Sequence, residues 1–392
     1  MSEADERRAA VRLTRLPFMT ATRLRAVLRH DPPTAVVEVL GGRAPVTSAA
    51  MAALLDRAPT TARHTTLGRL WRDALRPDVG DLPGDVSGDL SGDVAGDITV
   101  HVLGRPGYPE LLALDPAAPA VVFTRGHLGA LNARRVAIVG TRNATEHGRR
   151  IARRLGAELS DAGVAVVSGL ARGIDGSAHR GVLAASDEPG AHDRGAPIGV
   201  VASGLDVVYP REHADLWHAV ATRGLLCTEA PPGTAPEAFR FPMRNRIIAA
   251  LSEVVVVVES RLEGGSLITV REAMRRGVTV MAVPGSTGTR AADGTNLLIR
   301  DGAHVVIDTA DVLTVLGLGT DRIAAPFDSR PRPTGVDSLV LDVLGAEPST
   351  LDDIAEAARR RHDLSLTDTA VALGRLESTG WVMCTSGWFE RR

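Results

Sequence analysis

Lysine is absent from all 392 residues, so the 45 basic side chains are arginines. Every cationic contact must come from a planar guanidinium, suited to bidentate hydrogen bonding and stacking rather than acting as a point charge. Cysteine is scarce: Cys227 and Cys384 stand far apart, with no His/Cys cluster near either. That speaks against a disulfide framework or a zinc site and fits a reducing compartment. Aromatics make up 3%, leaving few rings on which a ligand could stack. No apolar run approaches membrane-spanning length, and the opening MSEADERRAA lacks the apolar segment of a secretory signal. A cytoplasmic location with no membrane partner is expected.

The formal net charge of −2 hides an uneven distribution. Residues 1–76 hold thirteen Arg against seven acids, residues 77–97 hold six Asp and no base, and from Arg134 to Gly181 nine Arg face four acids. Two basic stretches are thus separated by an acidic one.

The length suits two or three domains, and 44% hydrophobic content is ample for a core. Residues 1–76 read as a helical N-terminal domain. Leu13, Leu16, Leu24, Val27 and Leu28 fall at helical spacings, Asp31-Pro32-Pro33 interrupts them, and further helices are expected over 48–56 and 65–75. The Gly/Asp repeat of 77–97 has too little apolar surface to fold and reads as a flexible linker. From 98 to 318, apolar runs alternate with helical stretches, the pattern of an α/β domain with a parallel sheet. The runs are Val136–Val139, Val164–Val167, Ile198–Ala202, Gly224–Thr228, Val254–Glu259, Val278–Val283 and His304–Ile307. Five successive valines at 254–258 predict a strand buried on both faces. Residues 186–197 read as a surface insertion and 319–335 as a Pro/Arg-rich linker. Residues 336–392 read as three helices and a hairpin, the order of a winged helix, with a capping box at Thr350 and Asp353. Six Arg against ten acids suit that domain to a protein contact better than to duplex DNA.

Two strand ends carry chemistry. SGLARGID, Ser168 to Asp175, and Gly140-Thr141-Arg142 each follow an apolar run and lead into a helix. Such a junction presents backbone N–H groups and the positive end of a helix dipole to an anion. Gly169 and Gly173 would let the backbone approach a ligand, and Arg142 and Arg172 add charge. Strand ends of a parallel sheet share one rim, so a ligand with several phosphates is expected there. For each turn alone the alternative is an ordinary βα connection, and for Arg172 it is a structural ion pair.

FRFPMRNR places Arg240, Arg244 and Arg246 on an expected loop leading into a helix over 247–251, since Pro242 disfavours the helical region at Phe241. Three arginines can track successive phosphates of one strand. Arg246, beside the apolar helix, is expected to be structural. Phe241 and Tyr209, each next to a proline, read as packing residues, so binding should rest on phosphates and depend strongly on salt. Asp175 reads as a turn cap and His179 as a core residue with internal hydrogen bonds, rather than as an acid/base pair.

These segments belong to a longer series: VAIVGTR from Val136, SGLARGID from Ser168, AHRG from Ala178, GLDVVYP from Gly204, FPMRNRIIAALS from Phe241, GGSLIT from Gly264, AVPG from Ala282 and GTNLLIRDGA from Gly294. In this order, over about Tyr108 to Asp308, they resemble the DNA-processing protein A family (DprA, also called Smf). Thr228-Glu229 stands where Ser-Glu is usual there, and Gly264 replaces a common Ser. The resemblance implies an extended Rossmann-like core with a helical N-terminal and a winged-helix C-terminal domain. It implies a protein that binds single-stranded DNA, dimerises, and helps load the RecA recombinase onto incoming DNA in natural transformation; beside it, a non-enzymatic mediator with no cofactor or metal is expected. The expected DNA/phosphate site comprises Gly140, Thr141, Arg142, Ser168, Gly169, Leu170, Ala171, Arg172, Gly173, Arg240, Arg244, Arg246, Gly265 and Ser266. The homodimer is expected to form through 278–316. The alternative is a nucleotide sensor or a nucleoside-monophosphate hydrolase of the kind that carries PGGxGTxxE. Gly264-Gly265 and Thr269-x-x-Glu272 match that segment in part, without its Pro and third Gly and one residue too long.

Overall fold

The computed structural model describes residues 2–56, 67–75, 98–186, 194–319, 330, 332–345, 348–385 and 387–391. The expected Gly/Asp linker and most of the 186–197 and 319–335 segments lie outside the described residues. The chain divides into two compact units, Met1–Phe327 and Asp328–Arg392.

The first unit opens with helices α1 (Glu3–Thr14), α2 (Ala21–Leu28), α3 (Pro33–Leu40), α4 (Ala49–Asp56) and α5 (Leu67–Ala74). Ser2 and Asp5 form a capping box on α1, and Thr20 caps α2. Pro33, which breaks the apolar pattern, is the first residue of α3, where a missing N–H costs nothing. These helices surround the fully buried Trp71, and the same apolar cluster takes in Val100, Val102, Val121 and Phe123. The N-terminal helices thus share the unit and core of the sheet that follows.

That sheet has nine strands: β1 (Ile98–Val102), β2 (Val121–Gly126), β3 (Arg134–Val139), β4 (Val164–Ser168), β5 (Pro197–Val200), β6 (Leu225–Thr228), β7 (Val254–Val257), β8 (Thr279–Ala282) and β9 (His304–Val305). Their order is β1-β2-β6-β5-β4-β3-β7-β8-β9. Strands β3 to β9 run parallel, as the alternating pattern predicts. The sheet is not parallel throughout, however: β1 and β2 add antiparallel at the β6 edge. No tight hairpin turn joins β1 to β2. The short helix α6 (Glu110–Ala113) intervenes, which is why this pair left no signal in the sequence. Helices α7 (Glu146–Asp161), α8 (Ile174–Ser186), α9 (Ala214–Arg223), α10 (Arg240–Ala250), α11 (Ser266–Arg275), α12 (Asp293–Arg300) and α13 (Thr309–Val315) complete the wrapping. Among the described residues no helix is long and apolar enough to cross a membrane.

The valine run divides as a doubly buried strand must. Val254, Val256 and Val258 enter the core on one face, and Val255 and Val257 on the other. Helices α7 and α8 cross so closely that a Cβ on Gly156 would sit 2.2 Å from the Ala178 carbonyl oxygen, and one on Gly181 2.0 Å from that of Arg153. Only glycine permits that approach.

The second unit comprises α14 (Val336–Val343), β10 (Ser349–Thr350), α15 (Leu351–His362), α16 (Leu366–Ser378), β11 (Val382–Thr385) and β12 (Trp388–Arg391). The three expected helices and the ribbon are present, and β10 adds a third strand in the order β10-β12-β11. Thr350 and Asp353 form the expected capping box. Val340, Ile354, Leu373, Leu376 and Val382 make the core, and the Arg330 guanidinium stacks 3.9 Å over Trp381.

One expectation about α8 is corrected. His179 is fully buried, and the carbonyls of Val166 and Ile198 flank its ring without closing a hydrogen bond of good geometry to either nitrogen. Burial drives its pKa from the ordinary 6.5 down to about 4. The folded chain keeps the ring neutral while the unfolded chain takes up a proton. Stability is therefore full above pH 6.5 and falls as pH drops toward 4, by about 3 kcal/mol in total. His179→Phe should remove that part of the acid sensitivity. Denaturant midpoints at a series of pH values check this, and an unchanged slope between pH 6.5 and 4 would refute it.

Candidate nucleic-acid interface

The strand order reverses at β3, with β4 on one side and β7 on the other, and a parallel sheet opens a crevice at such a point beyond its carboxyl ends. Gly140-Thr141-Arg142 after β3 and the segment from Arg261 to Ser266 after β7 contribute to the walls of a cleft of about 620 Å³ there. Next to it, the turns after β4 and β5 line a pocket of about 170 Å³. Arg142, Phe241 and Arg244 border both. The smaller pocket is below the roughly 300–1,000 Å³ that encloses a drug-sized ligand, so it suits one base or one phosphate rather than a dinucleotide.

The two Gly-rich turns come together as expected, but they bind each other rather than lying open. Gly173 has φ +76°, and a Cβ there would lie 2.3 Å from the Thr141 carbonyl oxygen. Gly140 is packed against Ile174 and the Glu259 carbonyl. These glycines serve the interlock of the turns rather than a ligand's approach. The N–H groups are also largely engaged. Gly169 N–H donates to the Asp175 carboxylate at 3.1 Å and Thr141 N–H to the Glu259 carbonyl at 2.8 Å. At the start of α7, Thr145 N–H donates to the Glu259 carboxylate at 2.9 Å. Two helix starts that the sequence offers to phosphate thus hold carboxylates of the protein itself. Ser168 and Leu170 leave the site: Ser168 Oγ donates to the Ile138 carbonyl at 2.6 Å, and the Leu170 side chain is fully buried from a strained φ of +54°. Ala171 remains on the pocket wall.

The arginine-rich segment is helix, not loop. Arg240 opens α10, and Pro242 falls within its first turn, where backbone N–H groups have no intrahelical partner anyway. Helical geometry then separates the three arginines. Arg244 points inward, 5% exposed; Nη1 donates to the Gly169 carbonyl at 2.9 Å and to that of Val200. It therefore does not track phosphates from the surface. Burial lowers its pKa to about 10, still cationic at neutral pH, while burial raises that of Asp175 against the pull of this guanidinium. Arg246 is structural as expected, pairing with Glu229 and donating to the Ala117 carbonyl at 2.8 Å. Arg240 lies 5.0 Å over the Phe239 ring and pairs with Glu237 at 2.9 Å.

The exposed cations at the rim are fewer than expected. Arg142 is exposed and stacks 4.8 Å over Phe241, whose ring centroid is 5.5 Å from that of Tyr209. Arg172 is exposed but paired with Glu212. Gly265 caps α11 in the open, whereas Ser266 Oγ is tied to Ser260 Oγ at 2.9 Å. Two features escaped the sequence reading. Arg261, exposed in the cleft, has the same strand-end signal as Arg142, after β7, the sheet neighbour of β3. Tyr209 and Phe241 are not mere packing residues, since both line the pocket. Glu272, the acid of the partial PGGxGTxxE match, is engaged by Arg275 at 2.7 Å and Arg276 at 2.6 Å.

The family model described as DNA recombination-mediator protein A matches residues 99–317. Protein Smf of Escherichia coli is 35% identical over 291 residues, 72% of this chain and 75% of the relative. The DNA processing protein DprA of Bacillus subtilis is 39% identical over 221 residues, 56% of this chain and 72% of the relative. The X-ray structure of DNA processing protein A from Streptococcus pneumoniae is similar at a TM-score of 0.60 and 27% identity, covering 78% of this chain and 95% of that one. The matched region takes in the nine-stranded sheet and both interlocked turns, so the chain belongs to the DNA-processing protein A (DprA/Smf) family.

Proposed function

We propose that this protein is a non-enzymatic mediator that binds single-stranded DNA along the carboxyl-end rim of its Rossmann-like core and passes the strand to the RecA recombinase. The observation that carries the reading is the cluster of Arg142, Phe241 and Tyr209 lining the small rim pocket, the guanidinium over one ring and the second ring tilted against it. An exposed guanidinium supplies phosphate contact, and the rings beside it supply a platform for a base. A recess of that size takes an unpaired base, and a duplex keeps its bases stacked away from it. Arg261 across the cleft lets the backbone continue over the switch point. The handover to RecA rests on the family description as a recombination mediator.

We further propose that two chains pair through 278–316, where β9 leaves a sheet edge, joining two weak rims on one strand and raising avidity by about 10²–10⁴. The second unit, with three helices and a three-stranded ribbon, supports a winged-helix assignment. Its acidic balance supports a protein partner.

Arg142→Ala should weaken single-strand binding by about 1.5–3 kcal/mol with an unchanged melting temperature. Its salt slope should fall by about 0.7 for the phosphate lost. Titration of single-stranded and duplex oligonucleotides of equal length at two salt concentrations checks this; a preference for duplex, or an unaffected variant, contradicts the reading. Arg244→Ala should behave differently. Removing the guanidinium leaves the Gly169 and Val200 carbonyls without their donor and the buried Asp175 without the nearby positive charge that favours its ionised form, which should cost about 3–5 kcal/mol of stability, read by chemical denaturation. A fully stable Arg244→Ala protein would show that the guanidinium does not hold the turns together.

A further inference from the structure

Eight aromatic side chains lie among the described residues of the first unit. Trp71, Tyr108, Phe123 and Trp217 are buried, whereas Phe18, Tyr209, Phe239 and Phe241 are not. The four unburied rings all border two adjoining openings. Tyr209 and Phe241 line the rim pocket, and Phe18 and Phe239 line a cavity of about 680 Å³ between the α1–α2 loop and the start of α10. Val201, Ala202 and Arg244 form a wall common to both.

The display of Phe18 is built in. Phe18 is 64% exposed and adopts a φ of +60°, an outlier for so bulky a residue. Its loop is held from behind: Trp71 Nε1 donates to the Pro17 carbonyl at 2.8 Å, and Arg23 Nη1 donates to the Phe18 carbonyl at 2.7 Å. The neighbouring Leu16 is buried. On the opposite wall, Phe239 is 56% exposed with the Arg240 guanidinium over its ring. Strain and exposure held in place by an anchored loop mark a surface shaped for a ligand.

We infer that this cavity is a second subsite for the same DNA strand, in which bases running on from the rim pocket stack on Phe18 and Phe239. The inference rests on the single-strand reading above. The shared wall sets the two openings side by side, and exposed rings beside guanidinium groups are what a base π-face and its phosphate require. Glu229, also in the cavity wall, is held by Arg246 and so presents little repulsion to a phosphate.

Binding of oligothymidylates of increasing length to the full chain, Phe18→Ala and Phe239→Ala tests this. Oligomers short enough to fill only the rim pocket should bind all three alike. Longer ones should lose about tenfold per missing stack, with the salt slope unchanged because no phosphate contact is removed. Phe18→Tyr and Phe239→Trp should restore the affinity. Independently of folding, an oligomer abasic at both distal positions should bind the unaltered protein about a hundredfold more weakly, about tenfold for each stack, and lose nothing further with Phe239→Ala. Long oligomers binding the folded alanine variants as tightly as the unaltered protein, or abasic and intact oligomers binding alike, would overturn the subsite. If the unaltered protein bound no single strand at all, the function itself would fall, and the subsite with it.

Discussion

The arrangement of the rim depends on one buried contact. The Arg244 guanidinium reaches from α10 to the Gly169 carbonyl after β4 and the Val200 carbonyl at the end of β5. Asp175, at the start of α8, holds the Gly169 N–H. A Cβ on Gly169 would lie 2.5 Å from the guanidinium and 2.7 Å from that carboxylate, so the turn must pass between them as bare backbone. Two strand ends, the start of α8 and the middle of α10 are thereby fixed relative to one another. A guanidinium can do this because its donors diverge in one plane; an ammonium could not satisfy the same carbonyls with the same rigidity.

An arginine-only chain uses many of its cations this way. Arg276 closes on Asp115 and Glu272, Arg134 on Glu253, and Arg246 on Glu229. Each such group is largely neutralised by the fold, so the basic totals along the chain overstate what a polyanion meets. At the rim, charge is confined to a few exposed guanidinium groups, and the carboxylates at the starts of α7 and α8 prevent the turns themselves from becoming phosphate cradles.

Aromatic scarcity sharpens the other half of the surface. Burying an aromatic side chain is a large gain for a core, and with 3% aromatics the first unit nonetheless keeps four described rings out of its interior. Their grouping along adjoining openings joins the N-terminal helices to the rim as parts of one surface. The apolar cluster running from Trp71 to Phe123 makes that possible, because it seats the α1–α2 loop beside the sheet.

Much of this was legible in the order of residues. The strands from β3 to β9, the split of Val254 to Val258 between two faces, the Thr350–Asp353 cap and the convergence of two Gly-rich turns on one rim all follow from local patterns whose physical cause is local: side-chain periodicity, turn chemistry and helix capping. Strands β1 and β2 were not legible, since their pairing depends on a long connection and on β6 as a template. Nor was the fate of each arginine. Arg240, Arg244 and Arg246 stand in one short segment, yet one lies over a ring, one is buried on two carbonyls, and one is paired with a carboxylate. The sequence determined that this rim would be rich in guanidinium groups. Which of them faces water was decided only by tertiary structure, because burial of a charge is set by the partners that distant segments bring to it.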